Sequence, residues 1–229
     1  MIYAISDIHG CYKTLQVLLQ KLEYNSSEDR YFFLGDYIDR GPSSKAVLDF
    51  LIDLKQHNNR VTVLRGNHEQ MMLDTFKNNR KEDYLLWKQN GCETTLQNFG
   101  VPPGDYDLIE HIPSKYIDFI ESLPYFAEYD QFLLAHAGFN FQSGDPFNDT
   151  NSMLWTRDED YDRTFSKGKT IIHGHTQMPV YQILKKINNK SSVICIDSGC
   201  VYKKIVDLGW LSALNLKTFE LISVENIDF

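Results

Sequence analysis

Two hydrophobic periods alternate through the first 64 residues, and this limits the possible folds more than any other feature of the chain. Residues 2–5 form a short apolar run of strand type, after which Leu15, Leu18, Leu19 and Leu22 fall on one helical face. Residues 31–34 are a second strand-type run. Pro42 then opens a helix with the stripe Val47, Leu48, Leu51 and Ile52, and residues 61–64 supply a third strand. A β-α-β-α-β order needs crossover connections, so it specifies a mainly parallel sheet covered by helices. Ligands of such sheets gather in the loops beyond the carboxyl ends of the strands.

Residues 68 to about 123 carry helical spacing, with Ser114 as a cap ahead of Ile117, Ile120 and Leu123 and turn chemistry at Val101-Pro-Pro-Gly104. They predict a helical insertion around residues 70–123 beside the sheet. From Phe126 onward the pattern turns to short strands, at residues 132–135, 170–172, 180–187, 193–196, 211–216 and 219–224. The expected fold class is α/β, with two facing mixed β-sheets flanked by helices in a single domain spanning residues 1–229. A composition of 42% hydrophobic and 24% charged residues excludes a disordered or coiled-coil chain. A net charge of −8 repels a phosphate backbone, so no nucleic-acid polymer is expected as a partner. No apolar run approaches the roughly 18 residues of a membrane helix, and MIYAISDIHG lacks a basic segment followed by an apolar core. The expectation is a cytoplasmic protein with no membrane partner. Cys11, Cys92, Cys195 and Cys200 form no CxxC pair and are expected to be reduced. Oligomeric state is not encoded in any pattern of this kind.

Polar residues concentrate where the strands end. Asp7 and His9 follow the first strand, Asp36, Asp39 and Arg40 the second, and Asn67, His68 and Glu69 the third. In the β-rich half, His136 follows residues 132–135, and His173 and His175 follow residues 170–172. Carboxylate, imidazole and amide oxygen without thiolate suit a catalytic divalent ion rather than structural zinc. So many donors exceed the needs of one ion with an open position, which implies two ions roughly 3.5 to 4 Å apart. Asp36 is the expected bridge, since it lies between the Asp7/His9 set and the Asn67 set. Such a pair lowers the pKa of a shared water from 15.7 towards about 7, giving a hydroxide suited to in-line attack on a phosphate ester.

Ser6-Asp-Ile-His-Gly10, Gly35-Asp-Tyr-Ile-Asp-Arg-Gly41, Gly66-Asn-His-Glu69, His136-Ala-Gly138 and Gly174-His175 together resemble the phosphoprotein phosphatase family of calcineurin-like metallophosphoesterases. Within it the chain is similar to the small bacterial and phage protein phosphatases and to the symmetrical diadenosine tetraphosphate hydrolases. Trp87-Lys-Gln-Asn-Gly91, Thr94-Thr95 and Trp155-Thr-Arg157 also look like elements of the bacterial members. The resemblance implies that Asp7, His9 and Asp36 hold one metal and Asp36, Asn67, His136 and His175 the other. The ions would be Mn2+, with Fe or Zn as alternatives. It implies further that His68, oriented by Asp39, is the general acid, and that Arg40 and Arg157, with Asn67, bind the substrate phosphate.

Two departures from the family pattern stand out, of which only the second bears on the substrate. Ser6 replaces the usual glycine, and Lys203-Lys204 stand where the tetraphosphate hydrolases carry two glycines. The expected activity is therefore a metal-dependent phosphoric monoester hydrolase acting on Ser/Thr or Tyr phosphoproteins or small phosphoesters. Hydrolysis of dinucleoside polyphosphates is the alternative, and an idle metal-binding scaffold comes third. Glu69 and Arg65 are expected to brace their loop, Cys195 to be buried and Cys200 to lie in a loop near the metals. The run from Arg157 to Asp160 reads as a solvated loop.

Overall fold

The computed structural model describes residues 1–23, 28–105, 107–157 and 166–229. The amino-terminal alternation becomes β1 (Ile2–Ile5), α1 (Tyr12–Lys21), β2 (Arg30–Phe33), α2 (Ser44–His57) and β3 (Val61–Val63). β1, β2 and β3 pair in parallel, as crossover helices require. The buried stripe of α2 runs through Val47, Leu48, Leu51 and Leu54, leaving Ile52 half-buried at its margin. Next come α3 (Asn67–Asn78), α4 (Lys81–Gln89), α5 (Glu93–Asn98) and α6 (Ser114–Glu121), which make up the expected helical insertion. Ser114 is the first residue of α6 rather than its cap. Pro113 precedes it with φ −58, and no side chain caps that end.

The second half comprises β4 (Phe126–Tyr129), β5 (Phe132–Ala135), α7 (Thr150–Trp155), β6 (Thr170–His173), α8 (Val180–Asn188), β7 (Val193–Cys195), β8 (Trp210–Asn215) and β9 (Leu221–Glu225). One sheet has the order β3-β2-β1-β8-β9 and the other β4-β5-β6-β7. Both are mixed: β8 runs antiparallel to β1 and β9, and β4 antiparallel to β5, while β5, β6 and β7 are parallel.

Strand periodicity explains how the sheets face each other. Ile2 and Ala4 of β1 and Phe32 of β2 point into a shared core with Phe132 and Leu134 of β5, Ile172 of β6 and Ile194 of β7. The alternate residues Tyr3, Ile5, Tyr31, Phe33, Val61 and Val63 pack outward against the helices, among them Leu15 and Leu18 of α1 and Leu48 and Leu51 of α2. The other sheet does the same, sending Leu133, Ala135, Ile171 and Val193 outward onto Phe139, Phe141 and Met153.

Three expectations from the sequence are corrected here. Residues 180–187 form helix α8, not a strand. Pro179 sets φ −55 just ahead of it. Val180, Ile183 and Ile187 then recur at helical spacing, with Ile183 buried and Ile187 packed on the inter-sheet core, while Tyr181 and Leu184 face solvent. The last strand begins at Leu221, because Phe219 has φ 59 and turns the β8–β9 hairpin by donating its N–H to Asn215 O at 2.8 Å. β4 was not expected at all. Its register with β5, Phe126 opposite Ala135, is made by a tight turn in which Asp130 has φ 50. Among the described residues no helix is long and apolar enough to cross a membrane.

Candidate metal centre

The loops after β1 and β2 are stitched together before any ligand is considered. Ile8 and His9 donate their N–H groups to Asp36 O at 3.0 and 2.9 Å, and Gly10 donates to Tyr37 O at 2.8 Å. His9, Asp36, Asp39 and Arg40 all have positive φ, from 46 to 73, so both loops turn sharply and aim these side chains inward. His9 Nδ1 lies 2.8 Å from Ile38 O, a donor contact that leaves Nε2 facing the cleft. That Nε2 is 3.5 Å from Asp36 Oδ2.

After β3 the chain enters α3 at once, so Asn67, His68 and Glu69 occupy the first turn of a helix with its N–H groups aimed at the site. His68 donates its backbone N–H to Asp36 Oδ1 at 3.1 Å. Its ring is held at Nδ1, 2.6 Å from Asp39 Oδ2, and its Nε2 lies 3.8 Å from Asp36 Oδ2. From the second sheet, His136 at the end of β5 sets Nδ1 3.0 Å from Leu34 O. Its Nε2 then lies 2.8 Å from Asn67 Oδ1, 3.1 Å from His175 Nδ1 and 3.4 Å from Asp36 Oδ1. Asp36 therefore belongs to two clusters of metal-ligand type, one with His9 and His68 and one with His136 and His175. Each cluster takes a different carboxylate oxygen.

Electrostatics favour cations here. Burial and the neighbouring Asp197 push Asp7 well above the usual carboxylate range, and burial with Asp7 and Glu69 does the same to Asp36. Burial raises Asp197 to about 6. Burial lowers His9, His68 and His136 well below the usual imidazole value, and burial with Arg157 lowers His175 to about 3. Neutral imidazoles and crowded carboxylates are the protonation states and charges a divalent ion takes up. His175 Nε2 and Asp197 Oδ2 are buried without a hydrogen-bond partner among the described residues. The donor set fits a pair of divalent cations.

Residues 1–202 match the family described as calcineurin-like phosphoesterase. The chain belongs to this family. A symmetrical bis(5'-nucleosyl)-tetraphosphatase of Buchnera aphidicola subsp. Schizaphis graminum is 40% identical over 87 residues, 37% of this chain and 31% of that protein. The chain thus spans about a third of the length of the symmetrical relatives it matches. The asymmetrical bis(5'-nucleosyl)-tetraphosphatase PrpE of Anoxybacillus flavithermus is 29% identical over 252 residues, covering 98% of this chain and 94% of that one. Among solved structures, a cold-active protein-tyrosine phosphatase of a psychrophile Shewanella sp. superposes with a TM-score of 0.63 at 19% identity, covering 100% of this chain and 78% of that one.

Within the phosphoesterase fold, the structure brings Asp36, His9, His136, His175 and Asn67 together with His68 and Asp39. Asp7 stands slightly apart. Its oxygens accept the His175 N–H at 3.0 and 3.2 Å and the Ser6 hydroxyl at 2.9 Å, so it faces the second sheet as much as His9. Arg40 Nη1 is 2.7 Å from His9 Nε2, and exposed Arg157 lines the same cleft beside Trp155 and Gln177. Asp158, Glu159 and Asp160 lie outside the described residues. Glu69 accepts four backbone N–H groups, and Arg65 donates to Gln70, Tyr125 and Glu121 O, so both brace loops. Cys195 is buried in β7. Cys200 is buried against Asn226, which also reaches Cys11. Sequence reasoning missed Asp197. Its signal was a carboxylate following an apolar strand, the same signal that singled out Asp7.

Proposed function

We propose that this phosphoesterase hydrolyses phosphoester and phosphoanhydride bonds at a centre holding two divalent cations, with His68 as the proton donor to the leaving group. Asp7, His9 and Asp36 would hold one ion, and Asp36, Asn67, His136 and His175 the other. The observation that carries this reading is the position of Asp36, with Oδ2 3.5 Å from His9 Nε2 and Oδ1 3.4 Å from His136 Nε2. When bound, such a pair supplies charge neutralisation at the phosphoryl group and an ionised water nucleophile at neutral pH.

The chain's own residues do the rest. Arg40 and Arg157 reach the cleft from opposite loops and would hold the phosphoryl oxygens, a role suited to the guanidinium fork. His68 is fixed through Nδ1 by Asp39 and presents Nε2 toward Asp36, where a leaving oxygen can take its proton. The buried first turn of α3 adds its N–H groups to the same face.

For the substrate we favour a dinucleoside polyphosphate over a phosphoprotein. Support comes from the groove of about 690 Å³ that starts at Arg40 and continues past Tyr202 and Lys204, and from tetraphosphatase relatives that match over the whole chain. Lys203, in the groove wall, donates its ammonium to Asn226 O at 2.9 Å and Phe229 O at 3.1 Å, which ties that side chain to the carboxyl-terminal segment. The test is to strip the protein with chelator, restore Mn2+, and compare diadenosine tetraphosphate, a phosphopeptide and an aryl phosphate. Activity on none of them removes the reaction, and a preference for the phosphopeptide reverses the substrate order.

A further inference from the structure

We propose that Trp87 of α4 and Thr95 of α5 are positioning residues for proton transfer, holding the Asp39 carboxylate so that the proton it shares with His68 resides on the imidazole. The inference deepens the reading of His68 as proton donor and rests on it.

The geometry is specific. Trp87 Nε1 donates to Asp39 Oδ2 at 2.6 Å, the same oxygen that lies 2.6 Å from His68 Nδ1. Thr95 Oγ1 donates to Asp39 Oδ1 at 2.6 Å. The Asp39 N–H points back to Thr95 Oγ1 and to Ser44 Oγ, both at 2.9 Å, so the backbone of the aspartate is fixed by the residues that hold its side chain. Asp39, Trp87, Thr95 and Ser44 are fully buried, so water cannot stand in for any of these donors.

An indole N–H only donates. An Asp39 Oδ2 that accepts it must offer a lone pair, and its remaining acceptor direction faces His68. With Thr95 occupying Oδ1, the carboxylate is left with acceptor roles on both oxygens. A proton placed between Asp39 and His68 is thereby pushed onto Nδ1, which leaves Nε2 free to carry the proton that the leaving group takes. Burial alone opposes this, raising Asp39 to about 8, and the hydrogen bonds from Thr95 and Trp87 are the largest contributions against it. The same insertion seats the phosphate-facing arginine. Arg40 donates its N–H to Gly91 O at 3.0 Å and its Nε–H to Asn90 O at 3.3 Å, from the turn between α4 and α5. The segment that sets the insertion apart from the sheet thus supplies the supports of the dyad.

Three variants test this, each purified and restored with Mn2+: Trp87→Phe, Thr95→Val and Thr95→Ser. They are assayed on an alkyl phosphate, whose leaving group needs a proton, and on a dinitrophenyl phosphate, whose leaving group does not. Trp87→Phe and Thr95→Val should lose roughly 10- to 100-fold in kcat on the alkyl ester, part of the 10²–10⁴-fold a general acid contributes, with a change under about threefold on the activated ester. Thr95→Ser should retain activity on both. Equal losses on the two esters, or no loss on either, overturn the proposal. A second readout does not depend on turnover. In chelator-treated protein the Trp87 indole N–H resonance, identified by its absence in Trp87→Phe, should lie far downfield and move upfield in Asp39→Asn. An indole resonance indifferent to Asp39→Asn overturns the proposal even if the protein hydrolyses nothing, whereas a wild type inactive on every ester with this shift intact refutes only the reaction assignment.

Discussion

The Glu69 carboxylate holds the backbone of Asp36, accepting its N–H at 2.9 Å through Oε2. The same oxygen accepts the Gly66 N–H at 3.0 Å, and Oε1 accepts those of Tyr37 and Ile38 at 2.8 and 3.3 Å. One buried carboxylate thus joins the loop after β2 to the first turn of α3. Glu69→Gln offers a single carbonyl oxygen and sets an NH₂ against two N–H groups, stranding buried donors. The expected cost is about 3 kcal/mol of unfolding free energy, with Mn2+ affinity falling roughly 10- to 100-fold because Asp36, the bridge in the proposed reading, loses its support. Denaturant melts and calorimetric titration of Mn2+ check the two effects separately.

Gly174 and Asp7 define a second expectation. A Cβ on Gly174 would stand 2.0 Å from Asp7 Oδ1, and Asp7 cannot withdraw without breaking its contact to the His175 N–H. Gly174→Ala should therefore displace Asp7 and His175 together, lowering bound metal below that of wild type and activity by at least about tenfold. Gly144→Ala is the control, since nothing lies within 4 Å of its Cβ position. Metal content after dialysis, with circular dichroism to confirm folding, distinguishes loss of the site from loss of the fold.

The pH dependence of stability follows from opposed groups. Burial raises Glu69 from 4.5 to about 7, and Asp7 and Asp36 also rise. Such carboxyls bind their protons more tightly in the folded state, so their contribution is complete below the unfolded pKa and is lost as pH climbs through the folded one. The buried histidines run the other way. Their folded values lie below 6.5, so they favour folding as pH rises to that value and add nothing beyond it. Chelator-treated protein should be most stable at about pH 6 and lose on the order of 1–3 kcal/mol by about pH 8. Saturating Mn2+ should flatten that slope by favouring the ionised carboxylates. Thermal melts across this range, with and without metal, provide the comparison, and a stability that rises to pH 8 without metal contradicts the assignment of the burial effects.

What the sequence made legible was set by local rules. Asp7, Asp36, Asn67, His136 and His175 sit one to four residues past apolar strand runs, and parallel strands place such positions at one edge of a sheet. Strand order was not legible, because β1 pairs with β8 across more than 200 residues and period alone does not choose a partner. Trp87 and Thr95 stood out only through the resemblance to the bacterial members, and their contacts to Asp39, across 48 and 56 residues, were not legible. Helix α8 was misread because a short apolar run satisfies both periods until the exposure of Tyr181 and Leu184 separates them.

The groove beside Arg40 is where substrate choice can be measured. Val201, Tyr202, Lys204, Ile205 and Phe229 line it, and the Arg40 guanidinium lies 5.6 Å from the centre of the Tyr202 ring. In the proposed reading a small aryl phosphate would occupy only the cleft at Asp36 and leave the groove empty, whereas a dinucleoside polyphosphate must place a phosphate chain and a base somewhere beyond the reacting phosphorus. Stacking of a base on an aromatic ring is worth roughly 1–3 kcal/mol, and this interaction is the same in the bound substrate and in the transition state. Tyr202→Ala should therefore raise KM for diadenosine tetraphosphate about tenfold or more while kcat holds, the signature of uniform binding. Lys204→Ala should weaken the same substrate less, and in a salt-dependent way, through the lost charge. Neither change should alter kinetics on a small aryl phosphate. Parallel losses on both substrates would mean that the groove supports the fold around Arg40 and does not receive the nucleotide.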